Sequence, residues 1–188
     1  NLSEKPIVAL LPGSRKQEIR KILKIMLSVV DDFSEYQFVI AGAPSQKSAF
    51  YKSFIKTKSV KFIENATYDL LNHSKAAIVT SGTATLETAL FKVPQIVCYK
   101  SSWISYQIGK RLVNLYFISL VNLIMDRKVV CELIQDKLNK TNLSNELKKI
   151  LSPKKENKIK LDYIKLNKKL GGVGASEKVA KSVFESLF

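Results

Sequence analysis

Histidine, tryptophan and cysteine are almost missing from these 188 residues, which hold one His, one Trp and two Cys. His73 is the sole imidazole, and the sequence assembles no Ser, His, Asp constellation and no metal cluster, so nothing points to triad hydrolysis and no metal is expected. His73 itself reads as a helix-end residue. Cys98 and Cys131 lie in apolar contexts without metal spacing, the pattern of buried free thiols in a reducing compartment, which predicts a cytoplasmic setting. Long hydrophobic runs are missing too: no stretch of about 18 apolar residues occurs, and no charged segment followed by an apolar one opens the chain, so neither a spanning helix nor a signal peptide is supported. No G-x-x-x-x-G-K-[ST] occurs, and "GGVGAS" is not a G-x-G-x-x-G behind a strand, so kinase, GTPase and dehydrogenase readings lose support. Acid is scarce as well. Against 31 Lys and Arg there are 16 Asp and Glu, a net charge of +15, which points to nucleic acid, an anionic membrane or phosphorylated small molecules as partners.

What is present reads as a globular chain, 46% hydrophobic. Ile7 to Leu11 is an apolar run broken by Pro12 and Gly13, after which Ile19, Ile22, Leu23, Met26, Val29 and Val30 recur at helical spacing. Ser14 stands three residues before Gln17, a capping-box pattern that predicts a helix start directly after the glycine. The theme repeats: a strand at Gln37 to Ala41 with a weaker helix near Ser48 to Lys56, a strand at Val60 to Ile63 with a short helix ending near His73, and a strand at Ala76 to Val79. The last leads through "TSGTAT" into a helix carrying Leu86, Ala89 and Leu90, and "VPQIVCYK" supplies a fifth strand. Short strands, apolar on both faces and alternating with helices, predict a Rossmann-like doubly wound α/β fold, its parallel sheet covered on both sides.

Beyond Trp103 the pattern predicts a helix to about Val113, a short strand at Phe117 to Leu120, and helices near Val130 to Asp136 and Thr141 to Leu151. Pro153 stops the last of these. A lysine-rich helix to Leu170, the "GGVGAS" break and a helix from Glu177 with Val179, Val183, Phe184 and Leu187 follow. Residues 1–151 are expected to form the nucleotide-binding unit and 152–188 a helical tail, packed on it or on another domain. Because the first strand pattern begins almost at Asn1, a preceding partner domain is expected.

In such a sheet the ligand crevice lies at the carboxyl ends of the strands, where loops meet helix N-termini. Both conspicuous polar loops, "PGSR" and "SGTAT", fall there. Helix starts carry partial positive charge and free N–H groups, so each presents an anion site. Arg15 adds a guanidinium able to grip a phosphate with two bonds. Gly13 and Ser14 form the first turn; Ser81, Gly82, Thr83, Ala84 and Thr85 bring hydroxyls and bare backbone to the second, and Glu87, one turn further on, can accept from ribose hydroxyls. The duller reading of each loop is a turn and a helix cap.

Taken together, "LLPGSRKQEI", "TSGTATLETALFKVPQIVCYK", "YQIGKRLV" and "ISLVNLIMDRKVVCELIQ" resemble the C-terminal half of the lipid-A-disaccharide synthase family, glycosyltransferase family 19 with the two-domain GT-B fold. The resemblance runs from about Ile7 to Gln135, with a tail of similar layout. It implies a metal-free, cofactor-free inverting transferase that moves 2,3-diacylglucosamine from UDP-2,3-diacylglucosamine to 2,3-diacylglucosamine 1-phosphate (lipid X), releasing UDP and forming a β-1,6 disaccharide. In GT-B enzymes the C-terminal half holds the nucleotide sugar, and the other half carries most of the acceptor site and the candidate base; this chain alone is therefore expected to be inactive. By similarity the motif positions fall on Gly13, Ser14, Arg15, on 81–85 with Glu87, and on Asn122, Arg127 and Gln135, with the uracil edge in the loop near Glu64 to Thr67, at Glu64 and Asn65. Arg15 and Arg127 are the expected charge stabilisers. Val121 and Cys131 depart from the family pattern, which leaves the path of the loop between Asn122 and Arg127 open.

Substrates bearing acyl chains imply an enzyme peripheral to the inner membrane, and nine lysines between Lys148 and Lys169 offer a basic surface for an anionic bilayer; the plainer reading is a solvated helical face. The apolar stretch from Leu112 to Met125 suggests self-association, a possible homodimer. Two other readings stay open: another GT-B enzyme of UDP-sugars, such as a UDP-N-acetylglucosamine epimerase or a murein glycosyltransferase half, and a basic nucleic-acid-binding module. No nucleic-acid motif supports the latter.

Overall fold

The computed structural model describes residues 4–56, 59–100, 116–172 and 174–187. The helix expected from Trp103 to Val113, and with it the "YQIGKRLV" motif, lies outside the described residues.

Six parallel strands form one sheet: β1 (Ile7–Leu11), β2 (Gln37–Gly42), β3 (Val60–Glu64), β4 (Ser74–Thr80), β5 (Gln95–Tyr99) and β6 (Cys131–Ile134). Their order is β3-β2-β1-β4-β5-β6, so the direction of winding reverses between β1 and β4. Among the helices, α1 (Lys16–Leu27), α2 (Ser48–Lys52), α3 (Thr67–Asn72) and α4 (Ala84–Leu90) each follow a strand. Beyond β5 come α5 (Leu120–Met125), α6 (Lys140–Leu151), α7 (Pro153–Leu170) and α8 (Ala175–Leu187).

The period of two along each central strand divides the core in two. Val8, Leu10, Phe38, Ile40, Ala76 and Ile78 face a large cluster with Ile19, Ile22, Leu23 and Met26 of α1 and with Leu143, Leu147 and Ile150 of α6. Ala9, Leu11, Val39, Ala41, Ala77 and Val79 face the smaller cluster under Leu70 and Leu71 of α3. Apolar residues on both faces are what a fully covered parallel sheet requires. The register between β1 and β4 slips between Ile7 and Val8, and from Val8 on each β1 residue has a β4 partner.

α7 belongs to this body. Ile159, Tyr163 and Leu166 are buried in the larger cluster, each such burial contributing about 1.5–3 kcal/mol. Glu156, 9% exposed, joins Lys75 of β4 at 2.6 Å and Lys160 at 2.7 Å. α8 differs: its described side chains, from 176 to 186, are all exposed.

Three expectations are corrected. Residues 117–120 form no strand; Ser119 instead caps α5, accepting from Asn122 N. The helix expected near Val130 to Asp136 is the sixth strand, paired with β5 from Ile96↔Cys131 to Tyr99↔Ile134. Val130, Leu133 and Ile134 have helical spacing, but the open edge of β5 provides the hydrogen bonds that decide the matter. The capping box also fails: Arg15, not Ser14, is the N-cap of α1, with extended backbone and no side-chain cap.

Candidate functional site

A pocket of about 520 Å³ opens at the carboxyl ends of β1, β2 and β4, at the point where the strand order reverses. Gly13, Ser14 and Arg15 line one side, and Thr80, Ser81, Gly82, Thr83, Ala84 and Glu87 the other. Both predicted loops thus share one crevice, the location general to open α/β sheets.

Local chemistry shapes each wall. Gly13 has φ +93°, and a Cβ there would meet Thr80 Cγ2 at 3.4 Å and Glu18 Oε2 at 3.5 Å; only glycine fits the turn without strain. The carbonyls of this turn are tied back: Gln46 Nε2 donates to Ser14 O at 2.8 Å, Ser45 Oγ to the same oxygen at 3.2 Å, and the Tyr51 hydroxyl to Gly13 O at 3.3 Å. Ala43 N donates to that hydroxyl at 3.1 Å, and burial pushes the Tyr51 phenol above its ordinary pKa, partly offset by this bond. With these carbonyls occupied, the first N–H groups of α1, which have no intrahelical acceptor, begin at the turn that lines the crevice. The Arg15 side chain is 81% exposed and pairs with Glu18 at 3.2 Å.

Across the pocket Gly82, at φ +154°, has open space where a Cβ would lie. Ser81 donates to Ile118 O at 3.0 Å. Thr85 is fully buried and its hydroxyl donates to Gly82 O at 2.7 Å, so it shapes the loop and does not face the crevice. Among the described residues Glu87 makes no side-chain bond, which leaves its carboxylate open to the pocket. Thr80 Oγ1 is buried with no partner among the described residues.

The remaining expected residues stand elsewhere. Glu64 and Asn65 are exposed at the end of β3, on the same rim but outside the pocket lining; Asn65 has φ 53°, and Thr67 just beyond does line the pocket. Asn122 is fully buried. Its amide donates to Val130 O at 3.0 Å and Glu132 Oε1 at 2.8 Å, and its oxygen accepts from Val129 N at 2.8 Å and Val130 N at 2.9 Å. All four hydrogen-bonding positions are filled, and none is left for a ligand. Arg127 grips Asp162 of α7 with two bonds, 2.7 and 3.3 Å, and lies outside the pocket lining. Gln135 follows β6 with φ 51°.

Glu132, passed over in the sequence, organises this region. Its carboxylate accepts from Ile118 N at 3.0 Å, Ser119 N at 2.9 Å, Ser119 Oγ at 2.7 Å and Asn122. Since Ile118 O holds Ser81, Asn122 and Glu132 position the pocket wall from beneath. An acid inside an apolar strand, "VVCELIQ", was the available signal.

Fold and pocket define the class: a single doubly wound α/β lobe of the GT-B type. Spinosyn rhamnosyltransferase SpnG superposes over 96% of this chain and 45% of its own, with TM-score 0.66 at 11% identity. The UDP-GlcNAc 2-epimerase of Methanocaldococcus jannaschii, solved with UDP-GlcNAc and UDP, covers 80% of this chain and 40% of its own, with TM-score 0.52 at 15% identity. Residues 2–184 match the lipid-A-disaccharide synthetase family. The lipid-A-disaccharide synthase of Syntrophus aciditrophicus is 39% identical over 181 residues, covering 92% of this chain and 47% of that protein; that of Geobacter sulfurreducens is 34% identical over 188 residues, covering 96% and 49%. The chain belongs to the lipid-A-disaccharide synthase family of glycosyltransferases, and it spans about half the length of these relatives.

Proposed function

We propose that this chain is the donor-binding half of a lipid-A-disaccharide synthase. It holds UDP-2,3-diacylglucosamine, whose sugar passes to 2,3-diacylglucosamine 1-phosphate with release of UDP. The observation that carries the reading is the shared crevice between β1 and β4, where two loops and Arg15 converge on one space large enough for a diphosphate and its sugar. Identities of 30–39% to named synthases over nearly the whole chain favour this reading over an epimerase.

As the glycosidic bond to phosphate breaks, negative charge grows on the departing diphosphate. Backbone N–H groups of the 13–16 and 82–84 turns, already oriented, meet that charge without reorganising, and Arg15 adds a mobile cation from the rim. Glu87 accepts from the ribose. The acceptor and the general base are contributed by the other half of the enzyme, so the chain alone binds UDP and transfers nothing. Acylated substrates place the whole enzyme at the cytoplasmic face of the inner membrane.

Calorimetric titration of UDP into the chain tests this. The wild type binds, and Arg15→Ala weakens UDP about tenfold while leaving uridine unchanged, the loss of one exposed charge-assisted contact. Equal UDP affinity in both proteins removes Arg15 from the phosphate site; no binding in either removes the pocket assignment.

A further inference from the structure

α7 is two-sided in charge as well as in hydropathy. Its only acids, Glu156 and Asp162, both turn inward and are spent on Lys75, Lys160 and Arg127. Glu156, Ile159, Asp162, Tyr163 and Leu166 form the buried face. On the opposite side Lys154, Asn157, Lys158, Leu161, Ile164, Lys165 and Lys168 fall, at 100° per residue, within an arc of about 120° along a helix about 27 Å long. Among the described residues these four lysines make no ion pair or side-chain hydrogen bond. No acid interrupts the stripe, and Leu161 (60% exposed) and Ile164 (43%) sit inside it.

We propose that this outward face of α7 seats the protein on an anionic lipid bilayer, the lysines meeting headgroup phosphates and Leu161 and Ile164 entering the headgroup boundary. Charge complementarity selects the occupant. A stripe with lysine as its only cation, without arginine or an aromatic ring, lacks the groups that stack on bases, whereas ammonium heads on flexible stems beside branched aliphatics suit a bilayer interface. A helix presenting one such face along its length also matches a planar partner. The inference is independent of the donor site, since none of these residues lines that pocket.

Co-sedimentation of the chain with vesicles of phosphatidylcholine alone, and of phosphatidylcholine mixed with phosphatidylglycerol, tests it. Binding is expected to the mixed vesicles only and to weaken with salt. Replacing Lys154, Lys158, Lys165 and Lys168 by Gln lowers partitioning by more than about a hundredfold, at about fivefold per lysine. Leu161→Ser with Ile164→Ser, both already solvent-facing, lowers it further. An equal-charge control, Lys21, Lys24, Lys47 and Lys137 to Gln, leaves most of the binding in place. The proposal is overturned if the control loses as much as the α7 set, if the serine pair changes nothing, if wild-type protein ignores the anionic vesicles, or if the α7 lysines support tighter binding to duplex DNA than to vesicles. UDP titration of each variant, unchanged throughout, separates this outcome from any failure of the donor reading.

Discussion

Asn122 and Gly13 show how differently two motif residues act. Asn122 fills every hydrogen-bonding position with its own chain. Asn122→Ala strands Val129 N, Val130 N and Val130 O in the interior, and the expected cost is on the order of 3 kcal/mol in urea unfolding. A ligand-binding asparagine would behave the opposite way, losing UDP affinity at constant stability. At Gly13 the turn needs φ +93°, and Gly13→Ala is expected to cost about 1–2 kcal/mol and to weaken UDP as the turn relaxes away from that left-handed conformation. Nothing in the string of letters separates the two positions. The difference lies in Glu132 and the backbone at 129 and 130, which meet Asn122 only once β6 has paired. The same holds for Arg127, whose partner Asp162 is 35 residues away. The "PGSR" and "SGTAT" turns were legible because their chemistry is local: a glycine, small hydroxyls, a helix beginning at once.

Among the elements, β1, β2, β4 and β5 could be read because burial on both faces writes an apolar run into the sequence itself, and β3, with Lys61 and Glu64 exposed, by its place in the strand–helix alternation. β6 could not. It is a four-residue edge strand whose glutamate and cysteine are half-buried, and its state is set by β5. The two cysteines were read as buried free thiols; Cys98 is buried and Cys131 half-buried. Desolvation pushes the thiol of Cys131 up to about 11 and that of Cys98 higher still. α7 was legible as a helix, and Glu156 adds a polar attachment to the one its buried apolar face provides. Desolvation opposes charge on that carboxyl, but hydrogen bonds from Lys160 and Lys75 outweigh it, so its pKa is held below the ordinary carboxylate value. A carboxyl depressed in the folded state stabilises above its unfolded pKa of about 4.3, and that stability is lost as pH falls through the folded value. Glu156→Gln is therefore expected to cost about 1–2 kcal/mol at pH 7, with the gap to wild type closing below about pH 4. Thermal unfolding of both proteins across that range checks it; a gap independent of pH assigns the loss to packing.

The charge of the whole molecule separates two effects that a single affinity would merge. A net +15 produces a field that reaches a diphosphate before any contact forms, and that field is screened over about 10 Å at 0.1 M salt. Contacts in the crevice act later, at hydrogen-bonding range. Rapid-mixing measurements with UDP should therefore show association slowing as salt rises from about 0.05 to about 0.5 M, with dissociation changing far less. Arg15→Ala should keep nearly the same salt slope for association, because it removes one charge in fifteen, and should show its defect in dissociation instead. Uridine, lacking the phosphates, should be insensitive to both changes. If salt weakens uridine as much as UDP, the phosphates are not what the crevice holds, and the two turns at the β1/β4 reversal lose their assigned role even if the nucleoside still binds.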